Sequence, residues 1–117
     1  MKQYILFLHE PPAMNMDISP EQMQQIIARY IAWREQVAAK GHMVGGQKLR
    51  DGEGRLLRAA NGKVSVTDGP FAEAKEVVGG FFHIQAENYD QAVEIASTCP
   101  HLDFGAIEVR EVEPTHG

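Results

Sequence analysis

The sequence predicts an α+β fold, an antiparallel sheet with two helices on one face. Three observations point to it. Tyr4-Ile5-Leu6-Phe7-Leu8 is an apolar run too short for a helix of its own. Ser19-Pro20-Glu21-Gln22 opens a long stretch with helical apolar spacing. Asn61-Gly62 stands between two short strand-like runs.

Lys2 to His9 reads as a strand that needs cover on both faces, because apolar residues fall on each of them. Pro11 to Asp17 reads as a loop with Met14 and Met16 at its tip. The first helix starts from a Ser19 capping box with Pro20 at its first position, and Ile18 and Met23 are placed for a hydrophobic staple. Met23, Ile26, Ile27, Tyr30, Trp33 and Val37 form its inward stripe, and Gly41 is the stop. Met43 to Leu49 is the next strand, loosened by Gly45-Gly46, and Asp51-Gly52 begins a turn. Leu56 to Ala60 and Lys63 to Val66 flank Asn61-Gly62 as a hairpin. Thr67-Asp68-Gly69-Pro70-Phe71 reads as a turn, and Ala72 to Glu76 is open between one helical turn and extended chain.

Val77 to Ala86 is a strand with Phe82, Ile84 and Ala86 on one face and Phe81, His83 and Gln85 on the other. Asn88 with Gln91 starts a second helix. Its inward stripe is Tyr89, Ala92, Val93, Ala96 and Cys99, and Pro100 closes it. Gly105 to Val112 is the last strand, and Glu113 to Gly117 is a frayed tail. Without the inserted β-hairpin the order is βαββαβ, the ferredoxin-like arrangement. Its helix-free sheet face would carry aromatic and aliphatic side chains, a large bare patch. A homodimer packed sheet against sheet is therefore expected.

Composition narrows the function classes. The 117 residues suit one domain, and 44% apolar with 23% charged residues is ordinary globular usage. Eleven Lys and Arg against sixteen Asp and Glu give a net charge of -5 with no basic stripe, which argues against nucleic acid as a partner. The lone Cys99 excludes an internal disulfide and a cysteine-rich zinc site. No targeting signal or membrane span is read from the chain, so a cytoplasmic location is expected.

Thr67-Asp68-Gly69-Pro70-Phe71-Ala72-Glu73-Ala74-Lys75-Glu76, followed by Val78-Gly79-Gly80-Phe81-Phe82, resembles the signature of the YCII-related, DGPF-domain family. Val44-Gly45-Gly46, Cys99-Pro100 and the closing Ile107-Glu108-Val109-Arg110-Glu111-Val112 agree with it, so the likeness runs from Tyr4 to Val112. The resemblance implies a single domain over residues 1–117 and a dimeric α+β barrel type of fold. It also implies an association with extracytoplasmic-function sigma factors, since some members are encoded beside or fused to them. In the related YCII branch, a His on the first helix and an Asp ahead of the third strand are proposed to form an active pair. Asp68 falls where that Asp would stand; the first helix has no His, and Arg29 lies near the corresponding place.

Asp68 is the leading catalytic candidate, as a general base or a hydrogen-bond acceptor; the competing reading is a turn-fixing carboxylate. His83 is the second, if it faces away from the helices, against the reading of a satisfied interior His. His9, Arg29, Phe71 and Arg110 are candidate ligand contacts, although Phe71 reads as a core plug before a stacking platform and Arg110 also reads as the partner of Glu108 or Glu111. His42 and His101 read as loop residues at element ends, and Cys99 as a small buried hydrophobe. The five His have no metal-ligand spacing, and neither Gly pair begins a helix, so no metal site and no cofactor are expected. The expected function is binding of an unknown small molecule in a pocket, extended to Asp-assisted acid–base catalysis. The alternative is a non-catalytic regulatory or partner-binding module.

Overall fold

The structure is a computed structural model that describes residues 1–12, 17–69 and 76–114. The expected Met14 and Met16 loop tip, Phe71, most of the undecided stretch after it, and His116 lie outside the described residues.

The elements in chain order are β1 (Lys2–Glu10), α1 (Pro20–Ala39), β2 (Met43–Lys48), β3 (Arg55–Ala60), β4 (Lys63–Asp68), β5 (Val77–Ala86), α2 (Tyr89–Ala96) and β6 (Ala106–Glu111), with a 3₁₀ turn at Pro100–Asp103 before β6. One sheet has the strand order β2-β5-β1-β6, with every pairing antiparallel. That order is consistent with a ferredoxin-like α+β fold. β3 and β4 form a second, two-stranded sheet.

β1 explains its own apolar run. Tyr4, Leu6, Leu8 and Glu10 alternate onto the buried, helix-facing side, and Ile5, Phe7 and His9 are half-buried on the other. Opposite them on β5, Phe82, Ile84 and Ala86 are buried while Phe81, His83 and Gln85 are half-buried. The core is this helix-facing layer closed by Trp33 and Val37 of α1 and Ala92 and Ala96 of α2.

α1 is capped at both ends. The Ser19 hydroxyl accepts from the Gln22 N–H and the Gln22 side-chain oxygen accepts from the Ser19 N–H, both at 3.1 Å. Gly41 follows the helix at φ +82°, a left-handed conformation that suits glycine. Trp33 packs edge-on against Phe82, with ring centroids 4.9 Å apart, and its indole N–H donates to Thr98 Oγ1 at 2.9 Å. The β3–β4 turn has Asn61 at φ +52° and Gly62 at φ +76°, the two positive values a tight I′ turn requires.

Three local expectations need correction. Thr67 and Asp68 are not turn residues; pairing with Leu56 and Arg55 carries β4 through them, and the chain leaves the ladder at Gly69. Pro100 does not close α2, which ends at Ala96; it opens the 3₁₀ turn, where its missing N–H is no loss. The inward stripes are also narrower than expected. Ile27 and Val93 are about half exposed, as is Tyr89, although its ring packs edge-on against Tyr4 at 5.0 Å.

Candidate functional site

The period-two alternation that buries Tyr4, Leu6 and Leu8 carries one ionisable residue inward with them. Glu10 is 4% exposed at the end of β1. Leu8 pairs with Gly80 and His9 with Val78, so Gly79 is the extra residue of a bulge. The Glu10 carboxyl fills the space this glycine leaves: a Cβ on Gly79 would lie 1.3 Å from Glu10 Oε1. Among the described residues no hydrogen bond reaches the Glu10 carboxyl. Its pKa is raised, first by burial; Asp51 adds to this, and Lys48 and His101 oppose it.

His101, 2% exposed in the 3₁₀ turn, lies beside this carboxyl in the same cavity wall. Its Nε2 is 2.8 Å from the His9 carbonyl oxygen, and its Nδ1 is 2.9 Å from the Tyr30 hydroxyl. A carbonyl only accepts, so Nε2 carries the hydrogen; in the neutral ring Nδ1 then accepts from Tyr30. Burial raises the Tyr30 hydroxyl above its ordinary range, so it stays protonated and keeps donating. Gly105 permits the close approach of the 3₁₀ turn to β1, since a Cβ there would lie 1.9 Å from the His9 carbonyl oxygen.

These groups line a cavity of about 330 Å³ between α1 and the sheet. Met23, Ile26, Ile27, Ile31, Leu8 and Phe82 form its apolar wall. The buried Glu10 and His101 and the half-buried Tyr30 form its polar end, and the exposed Arg34, Gln47, Lys48 and Asp51 form its rim. Its size falls at the small end of the range of ligand sites. A smaller pocket of about 70 Å³ shares Glu10, Asp51 and Gly79 with it. A buried carboxyl with a raised pKa can give a proton to a ligand oxygen or take one back, which is general acid–base chemistry.

The residues singled out from sequence lie elsewhere. His83 faces away from the helices, with Nε2 2.7 Å from Gln3 Oε1. His9 points to the same open face, its Nε2 2.8 Å from Glu108 Oε1, and Arg110 Nε lies 3.9 Å from the other Glu108 oxygen. The ladder puts His83 opposite Ile5, four positions from His9, so the two imidazoles are separated by roughly 13 Å. Asp68, on the two-stranded sheet, has an 87% exposed side chain with its Oδ1 3.3 Å from Arg55 Nε. Arg29 pairs with Asp103 at 2.5 Å on the protein surface. None of these side chains lines the cavity, and Asp68 is not brought together with either imidazole.

Sequence reasoning passed over Glu10, Tyr30 and His101 as site residues. The signal for Glu10 was the strand alternation itself, which puts it on the face of Tyr4, Leu6 and Leu8. His101 had no comparable signal, because its burial depends on the 3₁₀ turn folding back against β1. Among the described residues no group of three His, Cys, Asp or Glu is placed to hold a metal ion. Burial raises the Cys99 thiol to about 11, so it is neutral at physiological pH.

The family model of the YCII-related domain matches residues 1–116. Comparison with curated proteins finds no match.

Proposed function

The chain belongs to the YCII-related domain family, and from that premise we propose that it binds a small molecule between α1 and the sheet and acts on it by acid–base chemistry through Glu10. The observation that carries this reading is a carboxyl, nine-tenths buried and without a hydrogen-bond partner among the described residues, lining an apolar cavity open to solvent. Burial of an ionisable group is unfavourable, and a ligand that hydrogen-bonds this carboxyl from the cavity offsets part of that cost. The raised pKa supports Glu10 as a proton donor as well as an acceptor.

Tyr30 and His101 complete the polar end of the site beside Glu10. The His9 carbonyl fixes the imidazole through Nε2, and the Tyr30 hydroxyl, donating to Nδ1, keeps a lone pair for a ligand donor. The acid–base role expected of Asp68 moves to Glu10, because the Asp68 side chain is exposed beside Arg55 and does not line the cavity. The same reading includes a homodimer, in which a second copy covers the half-buried Ile5, Phe7 and Phe81 of the open sheet face.

Native mass spectrometry of gently purified protein tests the ligand. The expected result is a retained small molecule that disappears in Ile26→Trp, which fills the cavity. A retained mass that survives this substitution places the ligand elsewhere.

A further inference from the structure

Among the described residues, the charged groups of the cavity sort into one matched pair and two groups without an ion pair. Lys48 Nζ is 2.7 Å from Asp51 Oδ1 and 2.7 Å from the Leu49 carbonyl oxygen, so that pair satisfies itself at the rim. The Glu10 carboxyl at the buried end has no hydrogen bond among the described residues. Arg34 lines the same cavity from its exposed side and makes no ion pair or hydrogen bond there among the described residues. Ile27, Ile31 and Arg34 follow one another at spacings of four and three along α1, so they share one side of the helix. Ile27 and Ile31 are 49% and 52% exposed, an apolar strip leading from the rim inward.

We propose that the ligand is a small apolar carboxylic acid. Its carboxylate sits on Arg34, its body lies along Ile27, Ile31 and Phe82, and a hydroxyl or carbonyl oxygen meets Glu10. A guanidinium presents a fork of donors that fits a carboxylate, and it stays charged at every physiological pH. A cationic ligand would meet Arg34 at the rim, and a neutral one would make no use of it. This assignment rests on the reading of the cavity as a binding site.

Two fluorescent probes with one shared body test it on the full chain: anilinonaphthalenesulfonate, an anion, and phenylnaphthylamine, which is neutral. Near-UV circular dichroism verifies that each variant is folded. The anionic probe is expected to bind more tightly than the neutral one. Arg34→Gln is expected to weaken the anionic probe roughly tenfold, the scale of one charge-assisted hydrogen bond, and to leave the neutral probe unchanged. Arg34→Lys is expected to restore part of the loss. Equal weakening of both probes, or none, in Arg34→Gln overturns the carboxylate assignment while leaving the cavity in place. If neither probe binds the wild type, or if Ile26→Trp weakens neither, the cavity reading itself fails and takes this assignment with it.

Discussion

Glu10 keeps its place because Gly79 has no side chain. With a Cβ at that position 1.3 Å from Oε1, Gly79→Ala must drive the carboxyl out of its niche. The atom met is the far end of a flexible side chain beside an open cavity, so the cost is expected at the low end of the roughly 1–3 kcal/mol of core overpacking. Most of that cost is expected to vanish in the background of Glu10→Ala, and a double-mutant cycle by urea unfolding reads the coupling. Equal costs in both backgrounds would mean that the backbone of β5, not the carboxyl, resists the change. The carboxyl also sets a pH dependence. Its folded pKa is raised above the ordinary value of 4.5, so the native state binds more protons than the unfolded chain. Stability therefore falls as pH rises from near 4.5 through the folded value. Glu10→Gln removes this slope, so its stability relative to wild type should increase across that window and level off above it. Denaturation curves at several pH values check the sign, and parallel profiles would rule out Glu10 as the titrating group. Tyr30→Phe strips the donor from His101 Nδ1 and should cost about 1–3 kcal/mol, the penalty of an unpaired buried polar atom.

At the scale of elements, what could be read from the sequence was whatever short-range chemistry decides. The Ser19 capping box, the Gly41 stop, the Asn61-Gly62 turn and the span of β5 all depend on residues a few positions apart, and all are present. What could not be read depends on distant partners. β4 continues through Asp68 because Arg55 and Leu56 are there to pair with it, which no local pattern in Thr67-Asp68-Gly69 reveals. The polar end of the cavity joins β1, α1 and the 3₁₀ turn, three segments that only the tertiary fold brings together. The elements also differ in how well they are held. β1 lies between β5 and β6 and is buried on its helix side, whereas β3 and β4 pair only with each other and are almost wholly exposed. An isolated two-stranded ribbon is marginal in water. Hydrogen exchange should find the β1 and β5 amides slowest and the β3–β4 amides fast in the isolated protomer. Slow exchange there would mean that something covers the ribbon.

The whole molecule is flat, with principal extents of 48 × 46 × 19 Å and a radius of gyration of 16.3 Å. A compact chain of this length would have a radius near 13 Å, about 3 Å smaller. Two apolar surfaces account for what a flat protomer leaves uncovered. One is the open sheet face around Ile5, Phe7 and Phe81. The other is one side of the ribbon, where Leu57 faces Val66 and Ala59 faces Val64, with Leu57, Val64 and Val66 57–63% exposed. The ribbon carries Arg55, Arg58 and Lys63 against Asp68 alone, while the rest of the chain has eight cations and fifteen carboxylates. A basic arm and an acidic body attract between copies. Light scattering at micromolar concentration should therefore give twice the chain mass, and Phe7→Arg, which puts a charge into the sheet face, should return it to one. A wild-type monomer would remove the homodimer. If Phe7→Arg stays dimeric while Leu57→Lys with Val66→Lys becomes monomeric, the arm is the joint between copies and the sheet face is not. Loss of the dimer in both variants would make one continuous interface of the two surfaces, because only a partner that touches both responds to a charge placed on either.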